Sequence, residues 1–232
     1  MRLARLHDLG PSRIGGILAM SLCLAGWSPV GAPTSDSRSA DGLASNPSAD
    51  AVAGKAPGWQ ASAPPLALGE TVPDIQLTDQ DGSSLSLGEL AGTVVVMTFF
   101  ESRSPDPALC PTLMKRLAHV QEILRPDLWE RVHLLAVSVD PAHDTAAVLH
   151  RQGESLEADF DHWSLVTTEK AAVTELAAAF GVFLWERADG SVGHTLNTVI
   201  ISPQGRLADR FPGSTQWSAD DLLASVVLLA ER

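Results

Sequence analysis

Residues 98–117 read TFFESRSPDPALCPTLMKRL, an apolar strand that runs into a proline-rich loop ending in Cys110 at the start of a helix. A loop of this build serves redox chemistry or holds a metal, and it ordinarily presents two sulfurs. Here it presents one, with Ser104 where a partner for Cys110 is expected. Cys110 directly precedes Pro111, a residue suited to the first turn of a helix. Backbone N–H groups and the macrodipole at that end favour the thiolate over the thiol. The polar loop and its place after a central strand argue for chemistry at Cys110. The alternative is a small, inert core residue, because free cysteine is commonly buried.

The rest of the chain decides whether a second sulfur is on hand. The other cysteine of the sequence, Cys23, lies in the apolar run IGGILAMSLCLAGW, residues 14–27. The basic segment MRLARLHDLGPSR precedes this run, and the small residues Val30, Gly31 and Ala32 follow it. That layout predicts a secretory signal peptide over residues 1–32. The run is short for a membrane span, which needs about 20 apolar residues; retention of residues 14–27 as an anchor is the alternative. The expectation is an exported protein of the bacterial periplasm whose mature form keeps one thiol, Cys110. No intramolecular disulfide is then open to it, although an oxidising compartment would allow one.

Residues 33–65 are dominated by Ala, Ser, Pro, Gly and Asp and carry almost no large apolar side chains. Such a segment cannot offset its own ordering entropy, so a disordered linker is expected, with a folded domain over residues 66–232. The sequence holds 16 basic and 28 acidic residues, a net charge of −12. Loss of residues 1–32 leaves 13 basic and 27 acidic residues. This acidity argues against nucleic acid and against anionic lipid, so a membrane is met only through the N-terminal segment. It suits cationic partners or metal ions, and equally a protein simply kept soluble by its charge.

The elements that must position Cys110 follow from hydrophobic patterning. VPDIQLTDQDGSSLSL alternates about Asp81-Gly82 and predicts a hairpin. TVVVMTFF (93–100) and VHLLAVSV (132–139) are continuous apolar runs, the pattern of strands buried on both faces. Leu113, Leu117, Val120 and Leu124 recur at helical spacing after Pro111. A helix is expected from Asp144, another over Glu169–Phe180 capped by Thr168, and a last one from Ser218 with Asp221 three residues on. GVFLWE, LNTVIIS and RLADRF read as strands, the last two joined at Pro203-Gln204-Gly205. Strands alternating with helices about two buried central runs predict an α/β sandwich.

These segments together resemble the SCO/SenC family. The resemblance rests on VPDIQLTDQDGSSLSLGELAGTVVVMTFFESRSPDPALCPTLMKRL, on LLAVSVDPAHDTAAVL, and on GHTLNTVIISPQGRLADRFPG, and it covers nearly all of residues 68–230. It implies a thioredoxin-like sandwich with a central mixed sheet flanked by helices, preceded by the hairpin. It also implies a copper protein of cytochrome c oxidase assembly, a metal carrier rather than a turnover enzyme. In such proteins two loop cysteines and a distant histidine hold copper. Cys110 matches the second cysteine and His194 the histidine. The first cysteine is missing: aligning SRSP on the family's TRCP puts Ser104 there, and a strict CxxxC count puts Asp106 there. The implied site is thus copper on Cys110 and His194, weakened at the position of Ser104 or Asp106. The implied partner is the copper-centre subunit of cytochrome c oxidase or another copper protein.

Without the resemblance, His194 would read as a surface hairpin residue after Gly193. His119, His133, His143, His150 and His162 form no ligand-spaced pair, and His119 is expected in solvent. Asp140 and Asp144 are expected to shape a turn and cap the next helix, with docking the lesser reading. Met114, Trp163, Trp185 and Trp217 are expected to pack. Two other functions stand beside the copper reading. One is a one-cysteine thiol oxidoreductase, which the sequence disfavours: a peroxiredoxin's threonine and proline positions hold Pro107 and Arg103, and no CxxC is present. The other is a binding module that has lost its chemistry and kept its fold.

Overall fold

The computed structural model describes residues 64–232. The signal peptide, Cys23, the anchor reading and the linker up to residue 63 lie outside the described residues.

A central run of valines and phenylalanines cannot face water on either side, and β3 (Val94–Phe100) accordingly sits in the middle of a five-stranded sheet with every residue buried. Its neighbours are β4 (Val132–Ser138) in parallel and β8 (Asn197–Ile201) in antiparallel register. Beyond them lie β5 (Trp163–Val166) and β9 (Leu207–Pro212), giving the order β5-β4-β3-β8-β9. The sheet is therefore mixed. The β1–β2 hairpin (Gln76–Thr78, Ser84–Ser86) and a second small hairpin, β6–β7 (Leu184–Glu186, Val192–His194), pair separately.

Alternation along the strands sends side chains to two cores. Val94, Val96 and Phe100 of β3 join Leu134 and Ala136 of β4 beneath α1 (Cys110–Ile123), α3 (Ala146–Ser155) and α5 (Ala219–Ala230). Val95, Met97 and Phe99 join Leu135 and Val137 beneath α4 (Lys170–Ala179), with Leu77 of the first hairpin. Each fully buried side chain of this size contributes roughly 1.5–3 kcal/mol. A short α2 (Pro126–Trp129) carries the chain from α1 into β4. The result is the thioredoxin-like α/β sandwich that the sequence led us to expect. Among the described residues no helix is long and apolar enough to cross a membrane.

Several local expectations hold and two do not. Leu113, Leu117 and Val120 line the buried face of α1, joined by Met114. Ser218 caps α5 in a reciprocal box, its Oγ accepting from Asp221 N–H at 3.2 Å while the Asp221 carboxylate accepts from Ser218 N–H at 2.8 Å. His119 is exposed, Trp163 and Trp217 are buried, and Trp185 is half-buried with its ring over Gly193. Thr168 does not cap α4. The N-cap residue is Glu169, without a side-chain cap, and Thr168 Oγ1 donates instead to Gln76 O at 3.1 Å, tying the helix's approach to β1. Asp144 does not cap α3 either; Thr145 stands at that N-cap. The Asp144 carboxylate is fully buried and accepts from the Ser138 hydroxyl at 2.5 Å, from Ser102 N–H at 3.2 Å and from the Ser102 hydroxyl. It is a clasp across the ends of β3 and β4, because a buried carboxylate needs every donor within reach.

Candidate metal centre

The antiparallel pairing of β3 with β8 fixes the site. Thr98 lies opposite Thr198, so the residues that follow β3 meet those that precede β8 at one edge of the sheet. The first group includes Glu101 and the loop to Cys110; the second includes His194 at the end of β7. His194 pairs with Leu184, and Thr195 N–H donates to Phe183 O at 3.0 Å, so the small hairpin is locked beneath the imidazole.

Cys110 Sγ and His194 Nε2 are 3.2 Å apart and buried, across 84 residues of sequence. His194 Nδ1 faces Thr195 O at 3.1 Å, which requires Nδ1 to carry a proton and leaves Nε2 directed at the sulfur. Burial alone would raise the Cys110 pKa, but the His194 charge and hydrogen bond outweigh it. With the Glu101 backbone and then the Ser104 side chain, they hold the thiol below its ordinary value. The same opposition acts on His194: burial lowers its pKa, while the Cys110 charge and hydrogen bond, the Glu101 charge and the Thr195 carbonyl raise it on balance. At this separation and an effective dielectric of about 20, opposite unit charges attract by about 5 kcal/mol. Burial costs several kcal/mol per ion, so the Glu101 and Thr195 backbone contacts matter to the balance. Each charge stabilises the other, which shifts the pair in the direction of thiolate and imidazolium.

Glu101 completes the group. One donor atom each from Glu101, Cys110 and His194 lie within 4.8 Å of one another, the one such cluster of three among the described residues. The Glu101 side chain is fully buried and paired with Arg187, whose Nη1 donates to Oε2 at 2.8 Å and whose Nη2 lies 2.7 Å from Oε1. Arg187 Nη1 is shared with Ser191 Oγ at 3.1 Å and Val192 O at 2.9 Å on the same hairpin as His194. The hydrogen bond to Glu101 raises the Arg187 pKa above its ordinary value despite partial burial.

The other predicted positions fall around this group rather than in it. The Ser104 hydroxyl oxygen is buried beside the cysteine without an aligned hydrogen bond. The Asp106 carboxylate turns back to accept from Ala108 N–H at 2.9 Å, closing the loop. His194 is not a surface hairpin residue: it is 5 % exposed, because β8 draws it under the Cys110 loop. Asp140 holds the loop from outside, accepting from Arg103 at 2.9 Å and lying 3.0 Å from His143.

Glu101 and Arg187 did not emerge from the sequence. Glu101 had one legible signal, an acid directly after the buried strand VVVMTFF, where a buried carboxylate must find a cation. Arg187 had none, being 86 residues away.

A thiolate and an imidazole are donors for soft and borderline transition-metal ions, and a carboxylate adds a harder oxygen. Bonds of roughly 2.3 Å to sulfur and 2.0 Å to nitrogen together exceed the 3.2 Å between Sγ and Nε2, so one ion can reach both without drawing them closer. The ion would take the place of the shared proton, and its binding would release that proton.

Comparison with known proteins bears on the family and the fold. A protein from Stutzerimonas stutzeri named as copper-binding is 26% identical over 140 residues, which is 59% of this chain and 66% of that relative, just under two thirds of its length. The SCO1/SenC family lipoprotein of Bacillus anthracis superposes with a TM-score of 0.65 at 22% identity, covering 72% of this chain and 99% of that one. BsSco, a member of the Sco family of cytochrome c oxidase assembly proteins, superposes with a TM-score of 0.60 at 22% identity, covering 72% and 97%. The model of the SCO1/SenC family matches residues 66–230, most of the chain, and the chain belongs to that family.

Proposed function

We propose that this chain is an exported copper-binding member of its family, a carrier for oxidase assembly that works with one sulfur fewer than its relatives' motif. Cys110 supplies a thiolate and His194 an imidazole, and a partner apoprotein receives the ion by ligand exchange. The observation that carries the reading is the buried 3.2 Å contact between Sγ and Nε2. Copper(I) prefers this pair of donors to oxygen ligands. The acidic surface, net −12 over the sequence, suits a soluble protein that meets cations. The partner that fits is the copper-centre subunit of cytochrome c oxidase or another copper protein in the periplasm, reached by export through residues 1–32.

The same Cys110–His194 pair also favours a second reading, a one-cysteine thiol oxidoreductase, since a thiolate held by an imidazolium is a nucleophile. Burial of Cys110 to 3 % exposure weighs against ready access for a substrate.

Competitive copper(I) titration of the purified protein, repeated with Cys110→Ala and His194→Ala, tests the proposal. The expected result is measurable binding that falls at least about 100-fold in either variant, the scale on which even an outer-sphere partner matters. Affinity indifferent to both substitutions refutes it. Peroxide consumption lost with Cys110→Ala would favour the second reading.

A further inference from the structure

The buried carboxylate beside Cys110 and His194 has a chemistry of its own. Glu101 stands three residues before Ser104 and five before Asp106, at neither position where the missing sulfur was expected. Its side chain is completely buried, and its Oε1, although 2.7 Å from Arg187 Nη2, has no aligned hydrogen bond. Beyond its ion pair with Arg187, Oε1 therefore keeps lone-pair capacity for a further partner. Oε2 is held by Arg187 Nη1, which is itself fixed to Ser191 and Val192. Both carboxylate oxygens face the Arg187 guanidinium, an outer partner of the kind that orients metal-binding carboxylates, and one of them lies within 4.8 Å of the sulfur and the imidazole nitrogen. The hairpin that carries the anchor also carries His194, so ligand and support move as one unit.

We infer that Glu101 supplies the ligand atom the absent sulfur would have provided, and that the resulting sulfur, nitrogen and oxygen set takes a divalent cation of the zinc(II) or copper(II) class. The inference rests on the reading of Cys110 and His194 as ligands. A carboxylate in place of a thiolate moves the set from soft toward borderline ions. Arg187, 2.7–2.8 Å from the two Glu101 oxygens, fixes that carboxylate in place.

The test is chelator competition on the full chain with zinc(II) and with copper(I) as separate probes, using the wild type, Cys110→Ala, Glu101→Gln and Glu101→Cys. The expected result is zinc(II) binding that needs both Cys110 and Glu101, with Glu101→Gln weakening zinc(II) binding about 10–100-fold and copper(I) binding by a much smaller factor. Zinc(II) affinity untouched by Glu101→Gln, alongside copper(I) binding that needs Cys110, overturns this inference and leaves the proposed function standing. Loss of Cys110 dependence for both ions overturns both. Should Glu101→Gln fail to fold, Glu101→Cys decides, because a thiolate there still faces Arg187. It should raise the ratio of copper(I) to zinc(II) affinity by about tenfold or more, and an unchanged ratio overturns the assignment.

Discussion

Replacing Arg187 with leucine removes the cation that faces Glu101 and leaves a fully buried carboxylate without its partner. The two members of the pair are not equivalent. Glu101 is sealed from solvent, whereas the Arg187 side chain is 22 % exposed and keeps hydrogen bonds to Ser191 Oγ and Val192 O. Breaking a buried pair by removing one partner typically costs 3–5 kcal/mol. Water that reaches the Arg187 position sets Arg187→Leu at the lower end, about 3 kcal/mol. Glu101→Gln leaves its cation with two acceptors and a path to water, so about 1 kcal/mol is expected. The double replacement Glu101→Leu with Arg187→Leu should cost less than Arg187→Leu alone, since no buried charge is stranded. For a fold of this size each kcal/mol moves Tm by about 2–4 °C, so Arg187→Leu should melt roughly 6–12 °C lower. The assay is urea denaturation with a double-mutant cycle, run with a chelator present so that bound metal adds nothing. A cost for Glu101→Gln that equals or exceeds that of Arg187→Leu would refute the argument from unequal burial.

Two further outcomes depend on protonation. The sequence lacks tyrosine, so the ultraviolet absorbance of the Cys110 thiolate can be followed against pH in a Cys23→Ala background free of tyrosinate. Its midpoint should fall below the ordinary cysteine value, and His194→Ala should move it upward, because burial is then opposed only by the smaller Glu101 backbone and Ser104 contributions; a wild-type midpoint at or above the ordinary value would contradict the ion pair. The sign for stability follows: the lowered Cys110 pKa contributes stability that is lost as pH falls through it, and the raised His194 pKa contributes stability that is lost as pH rises through it. His133, hydrogen-bonded to Ser164 at 2.9 Å, is pushed down from 6.5 to about 4, by burial first and by nearby His162 second. It is neutral in the native state while the unfolded chain takes up its proton, so stability should fall by about 3 kcal/mol between pH 6.5 and about 4. His133→Gln should flatten that acid limb in urea titrations, and an unchanged limb would place the acid sensitivity elsewhere.

The buried strands were legible because β-branched runs such as VVVMTFF and VHLLAVS have no other stable environment than the middle of a sheet. The capping box at Ser218 was legible because it is written within four residues. Thr168 and Asp144 misled, since a short polar side chain before a helix reads as a cap until another partner outbids it. For Thr168 that partner is the Gln76 carbonyl, and for Asp144 it is the pair of serines at the ends of β3 and β4.

The sequence by itself determined the fold class, the family pattern and the two residues, Cys110 and His194, on which the metal reading turns. Residue type and local spacing suffice for the fold class and Cys110, whereas His194 was reached through the family resemblance, since by itself it reads as a surface hairpin residue. Their 3.2 Å approach, the burial that couples their charges, and the arrival of Glu101 with Arg187 behind it were decided by the tertiary structure. The physical reason is the antiparallel pairing of β3 with β8, which brings the segment after one strand to the segment before the other and so joins Cys110 to His194 across 84 residues, a separation that no local pattern encodes.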